Sequence, residues 1–327
     1  MKKILLLTTG GTIASVVSAE GLVPRESGDD LLRNIGYLPY DIKIEDILQL
    51  DSSNIQPEEW KIIADKIYQE RLNYDGIVLS HGTDTMAYTA SMLSFMLQNI
   101  EIPVVLTGSQ VPINVVLTDA VDNLRLAFAA ADRCQPGVYL AFNRKIMLGC
   151  RAVKVRTTNF DAFESVNTPC VAEVTSEGIV FNQNARISNE SCNYRSQLDT
   201  NVSLIKLFPG FDPSLLAALA KSGCHGIVIE GYGLGGMTFI RRNLVAQIGE
   251  LNKQGIPVIA SSQCLYERSD LTKYEVGRLA LLEGAISAHD MTSESAITKL
   301  MWCLGQGMDV EEIRNCFNQN LVGEVTL

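Results

Sequence analysis

Apolar residues fall along this chain in two rhythms. Short runs rich in Val, Ile and Leu at residues 4–8, 76–80, 103–107 and 138–142 predict strands, with amphipathic stretches between them. Residues 57–72 open on Pro57, follow it with Glu58 and Glu59, and set Trp60, Ile63, Ala64 and Ile67 at helical spacing. Residues 85–99 and 119–132 predict two more helices, each between two of those strands. This is the βαβ rhythm of a mostly parallel sheet covered by helices on both faces.

The pattern changes after Phe142. Asn143-Arg144 stands between two strand-like runs, 138–142 and 145–151, and predicts a β-hairpin. Residues 176–201 turn polar and read as a linker. Beyond them the alternation restarts, with strands at 204–207, 226–230 and 257–261 and helices at 213–221 and 242–254. A last pair of helices follows, with Ala296, Leu300, Cys303 and Leu304 forming an apolar stripe. The expected fold is therefore α/β in two domains, 1–185 and 202–327, joined by a linker at 186–201. No internal repeat of fixed period is present.

Length and composition agree with this. A chain of 327 residues suits two α/β domains or one large one, and 46% hydrophobic with 20% charged residues excludes a disordered or fibrous chain. A formal charge of −10 argues against a nucleic-acid partner, because phosphate binding needs clustered Lys and Arg. The eight cysteines are scattered without a Cys-x-x-Cys, which predicts free thiols rather than a disulfide framework or zinc cage. Lys2 and Lys3 precede an apolar run that breaks at Thr8-Thr9-Gly10-Gly11, short of the about 7–15 residues a secretory signal needs. No stretch reaches the roughly 18 apolar residues of a membrane span. The expectation is a cytoplasmic protein with no membrane partner.

In open α/β sheets ligands bind beyond the carboxyl ends of the strands, so polar residues just after each strand are where chemistry is sought. Thr8-Thr9-Gly10-Gly11-Thr12 puts paired glycines there, letting the backbone approach a ligand and aim N–H groups at developing negative charge. A plain tight turn explains the glycines equally well, and neither a Gly-x-Gly-x-x-Gly nor a phosphate-loop motif is present. His81-Gly82-Thr83-Asp84-Thr85 leads from a strand into a helix and offers a hydroxyl and a carboxylate, although for Asp84 or Thr85 alone helix capping is the simpler role. Lys154 stands between Val153 and Val155. An isolated lysine is normally solvated, but one in a partly desolvated site can act as the base for a weak hydroxyl nucleophile. His81, His225 and His289 lack metal spacing, and a Ser-His-Asp triad lacks its Gly-x-Ser-x-Gly elbow.

Taken together, TTGGTIA near the N-terminus, DSSN at 51–54, HGTDTMAYTA from His81, TGSQ from Thr107 and the lysine segment before Asp161-Ala162-Phe163 resemble the bacterial-type L-asparaginases, and their cytoplasmic type I branch in particular. The similarity extends to 230–236, Ser262-Gln263-Cys264 and 291–302. The resemblance implies a larger N-terminal domain carrying the active site at the carboxyl edge of its sheet, a smaller C-terminal one, no cofactor, L-asparagine as small-molecule substrate, and a homodimer or homotetramer. It implies Thr12 as first nucleophile, a relay of Thr83, Asp84 and Lys154, and substrate contacts from Asp51, Ser52 and Ser53. One departure stands out: where many members carry a tyrosine in the loop that closes over the first threonine, this chain has Leu22, which cannot relay a proton. Either Thr12 is activated by another group, through the Thr83 relay and water, or Thr83 takes a larger share. The polar stretch from Ser15 to Arg25 is expected to be a mobile lid.

Two rival readings remain from the sequence. A non-catalytic asparagine-binding sensor would have no need to keep Thr12, Thr83, Asp84 and Lys154 together. The amidase component of a tRNA-linked amidotransferase normally carries an additional N-terminal domain, whereas the first strand here is expected to start at residue 3.

Overall fold

The computed structural model describes residues 1–18, 21–182 and 190–327, and the chain divides into two compact units, Met1–Ser196 and Gln197–Leu327. The first is organised by an eight-stranded sheet. Its parallel part runs, across the sheet, Gly137–Phe142, Pro103–Thr107, Gly76–Ser80, Lys3–Gly10 and Asp41–Leu50. The first strand in sequence thus lies between the second and the third, so strand order reverses beside Lys3–Gly10 and opens a crevice at the carboxyl ends there.

Both faces are covered, which explains the unbroken apolar runs. Ile4, Leu6, Val78 and Val105 share one core with Leu124, Ala127, Phe128 and Ala131 of the helix Ala120–Arg133 and Leu31 and Ile35 of Gly28–Ile35. Leu5, Leu7, Ile77, Leu79, Val104 and Leu106, alternating with them, are equally buried. The helix Met86–Met96 packs against Pro103–Thr107 and Gly137–Phe142, and Pro57–Glu70 packs on that helix, joined to it by the Trp60 indole N–H donating to Thr89 Oγ1 at 2.9 Å.

The expected hairpin is present: Gly137–Phe142 pairs antiparallel with Lys145–Leu148, and Asn143 and Arg144 both take positive φ, as a tight two-residue turn requires. Several expectations need correction. The strand over 145–151 stops at Leu148, where a 3-10 turn, Gly149–Arg151, re-aims the chain so that Lys154 ends a separate short strand paired with Phe163–Ser165. The helix over 85–99 ends at Met96, and Leu97–Gln98 pairs with Asn193–Tyr194. The polar stretch 176–201 is not structureless, because Gly178–Phe181 completes the sheet edge against Ala172–Thr175. The opening of the expected linker, 186–189, lies outside the described residues. The stretch expected to be a lid holds two short antiparallel strands, Ser15–Ser18 and Gly21–Pro24; residues 19–20 and the Leu22 side chain lie outside the described residues.

The second unit carries four parallel strands in chain order, Val202–Lys206, Gly226–Gly231, Val258–Ser262 and Ile286–Ser287. Ile227, Ile229, Val258 and Ala260 pack with Leu216, Leu244, Ile248 and Ala280 from Ser214–Lys221, Leu244–Lys253 and Glu275–Leu282. Ser293–Gly305 covers the opposite face; Ala296, Leu300 and Cys303 are buried and Leu304 half-buried. Val310–Phe317 packs on that helix. Among the described residues no helix is long and apolar enough to cross a membrane.

Candidate active site

Three loops converge at the carboxyl ends of the strands beside the reversal of strand order. The first leaves Lys3–Gly10 through Gly10 and Gly11, at φ 98° and 79°, and places half-buried Thr12 at the start of a 3-10 turn, Thr12–Ala14. The second leaves Gly76–Ser80 through His81, Gly82 and Thr83. They meet at their glycines: a Cβ on Gly11 would lie 2.4 Å from Gly82 N and Cα. Thr12 and Thr83 each follow one glycine of that contact. The third loop, Asp51 to Asn54, sits beneath Gly82, where an added Cβ would lie 2.6 Å from Ser52 Oγ.

Hydrogen bonds lock the loops together. The Gly11 N–H donates to the Leu50 carbonyl at 2.8 Å, and the Asp84 N–H donates to Ser52 Oγ at 3.2 Å. The Thr85 hydroxyl donates to the Ser52 carbonyl at 2.7 Å rather than capping the helix it precedes. Asp51 caps its own turn by accepting from the Ser53 N–H at 2.8 Å. Ser52 is buried, and Asp51 and Ser53 are exposed.

Lys154 reaches this point from its short strand. Its ammonium donates to Thr83 Oγ1 at 2.8 Å and to Asp84 Oδ1 at 2.6 Å. Thr83 is buried at 4% exposure, while the Asp84 carboxylate faces solvent. With its lone pair engaged by Lys154, the Thr83 hydroxyl donates to Gln110 Oε1 at 3.4 Å. Thr83, Asp84 and Lys154 are thus in direct contact, Ser52 is bonded to the same loop, and Thr12 lies across the glycine contact.

Two supports were not assigned from the sequence. Gln110 is held by the Asp119 carboxylate, which accepts the Gln110 and Val111 N–H groups and the Asn123 amide. Burial still raises the Asp119 pKa above the usual carboxylate value. The TGSQ segment lies at the carboxyl end of Pro103–Thr107, and the same carboxyl-end rule that singled out the other loops points to it. His81 is the second. Its Nδ1–H donates to the Gly82 carbonyl at 2.7 Å, and Nε2 accepts from Thr89, which accepts from Trp60. Full burial lowers the His81 pKa to about 4.

Residues 3–187 match the family model "Asparaginase, N-terminal", and residues 201–317 match the glutaminase/asparaginase C-terminal domain. The chain is 46% identical to the L-asparaginase of Thermococcus kodakarensis over 99% of both chains, and the structure of that enzyme superposes with a TM-score of 0.94. It is 33% identical to L-asparaginase 1 of Escherichia coli, covering 99% of this chain and 98% of that one. It is also 36% identical to one component of the glutamyl-tRNA(Gln) amidotransferase of Methanosphaera stadtmanae, covering 99% of this chain and 77% of that one. With both domains matched in order over nearly the whole chain, the protein belongs to the asparaginase family.

Proposed function

We propose that the chain hydrolyses L-asparagine to L-aspartate and ammonia by acyl transfer through a threonine. The observation that carries this reading is the contact of Lys154 Nζ with both Thr83 Oγ1 and Asp84 Oδ1, at 2.8 and 2.6 Å, beside the loop that bears Thr12. Thr12 attacks the side-chain amide carbon, ammonia leaves, and water frees the product. Lys154, held by Asp84, is assigned as the group that takes the proton delivered through Thr83. Because the Gly11 N–H is committed to Leu50, we assign the oxyanion to the amides of Thr12 and Thr83, each such donor being worth about 2.7–4 kcal/mol in other enzymes. Asp51, Ser52 and Ser53 are assigned to the amino and carboxylate ends of the substrate.

The same reading places the chemistry in residues 1–185, in the cytoplasm, with no cofactor. It also assigns a homodimer or homotetramer. The Asp84 side chain is 59% exposed in one copy, and a neighbouring copy of the chain would exclude water from it. Ammonia release from L-asparagine and L-glutamine, with Thr12→Ala and Thr83→Ala beside the parent chain, tests the activity. Release from asparagine that both variants abolish supports it; no release from either amide overturns it. The likeness to an amidotransferase component supports a second reading, in which ammonia is delivered to a tRNA-bound acceptor. Co-purification of tRNA or of a partner chain would favour that reading over free hydrolysis.

A further inference from the structure

Cys303 and Cys316 sit on consecutive helices, Ser293–Gly305 and Val310–Phe317, and their sulfurs are 3.3 Å apart, with the Cys303 S–H donating to Cys316. Both are free thiols, Cys303 fully buried and Cys316 7% exposed. We propose that the two form an oxidisable dithiol site that closes to a disulfide in the presence of a peroxide and staples the last two helices of the C-terminal unit together. A disulfide needs its sulfurs about 2 Å apart, so closure asks for a shift of little more than about 1 Å, within the reach of side-chain rotation.

The surroundings assign the two roles. The Cys303 hydrogen bond and the charge of Lys299, one turn earlier on the same helix, hold the Cys316 thiol below its ordinary range against the effect of burial and of Glu324. Cys303, donating that bond in a buried place, is raised. Cys316 is therefore the first nucleophile and Cys303 the resolving thiol. The Cys316 thiolate attacks one oxygen of hydrogen peroxide; the O–O bond breaks, a sulfenic acid forms and hydroxide leaves. The Cys303 sulfur then attacks the Cys316 sulfur, the S–O bond breaks, and the departing hydroxide takes the Cys303 proton. Two thiols lose two electrons, and the peroxide becomes water. Peroxide is small enough to reach Cys316 where the terminal eight-residue helix opens locally.

The test uses the full chain treated with a slight excess of hydrogen peroxide. Thiol titration in denaturant should lose two of the eight cysteines, and a non-reducing peptide map should join Cys303 to Cys316. The mass should fall by about 2 Da and return with dithiothreitol. The thermal midpoint of the oxidised chain should rise by roughly 5 °C, since the closed loop is short. Cys303→Ala and Cys316→Ala should each show neither cross-link nor rise. Oxidation confined to exposed Cys264, a cross-link elsewhere, or no loss of thiols would overturn the proposal, and the map of the parent chain decides this even if a variant fails to fold.

Discussion

Gly11 and Gly82 touch backbone to backbone, and a methyl group on Gly11 would lie 2.4 Å from the nitrogen of Gly82. Two main chains belong to that contact, so no side chain can swing away to relieve a clash. Gly11 also stands at φ 79°, where an L-residue is strained by roughly 1–3 kcal/mol. Gly11→Ala should therefore push the Thr12 and Thr83 loops apart. The expected result is a loss of about 10²-fold or more in kcat, since a misplacement near 1 Å costs that much. Ammonia-release kinetics and the thermal midpoint, measured on the same preparation, check it; an active Gly11→Ala enzyme would show that the contact does not set the threonine spacing.

The neighbourhood of Lys154 separates binding from chemistry. Lys154→Met keeps much of the stem but removes the group that touches Thr83 and Asp84. The expected outcome is a fall in kcat of about 10²–10⁴-fold, as for loss of a general base. Aspartate affinity by calorimetric titration should change by no more than a few-fold, because the substrate ends are assigned to the 51–53 loop. Equal losses in kcat and affinity would make Lys154 a binding residue.

Much of this arrangement is legible in the sequence, for identifiable reasons. The central strands announce themselves as unbroken apolar runs because both of their faces are buried, and the loops bearing Thr12 and Thr83 follow from the carboxyl-end rule. Asp41–Leu50 escapes because it is an edge strand, its positions half-buried or exposed and its apolar residues interrupted by Lys43, Glu45 and Asp46. Gly178–Phe181 escapes for the same reason inside a polar stretch. Within the site, Lys154 stands out by its setting between valines, but its partners lie 71 and 70 residues away in sequence. In the sequence His81 lacks the spacing of a metal ligand and the motif of a triad member, and no other role for it is legible there. Its actual role depends on Thr89 and on Trp60, which only packing of two helices brings within reach.

That buried histidine makes acid stability measurable at one residue. Its folded pKa is lowered from 6.5 to about 4, so between those values the unfolded chain binds the proton and the folded chain does not. Stability from this source is whole above about pH 6.5 and is lost as pH falls through 4, by up to about 3 kcal/mol. Urea midpoints for the parent chain should fall over this window more steeply than those of His81→Gln, which keeps polar atoms but has no proton to gain. Parallel slopes for the two chains would mean that other groups carry the acid limb.

The last helices offer a cleaner electrostatic experiment. Lys299 and Glu324 are both fully buried; the lysine ammonium donates to the Glu324 carboxylate and to the Gln319 carbonyl at 3.0 Å. The carboxylate also accepts the Leu321 and Val322 N–H groups, so one ion pair ties residues 319–324 to the middle of Ser293–Gly305. Removing one charge strands the other in a place without water, at a cost of about 3–5 kcal/mol, whereas replacing both with apolar groups of similar size is often neutral. Glu324→Gln and Lys299→Met should each lower the denaturant midpoint strongly, and Lys299→Met with Glu324→Leu should recover most of the loss. Such recovery would mean the pair fixes where the tail docks rather than how stable the unit is; a double variant as weak as the singles would mean that the carboxylate's bonds to the backbone carry the tail.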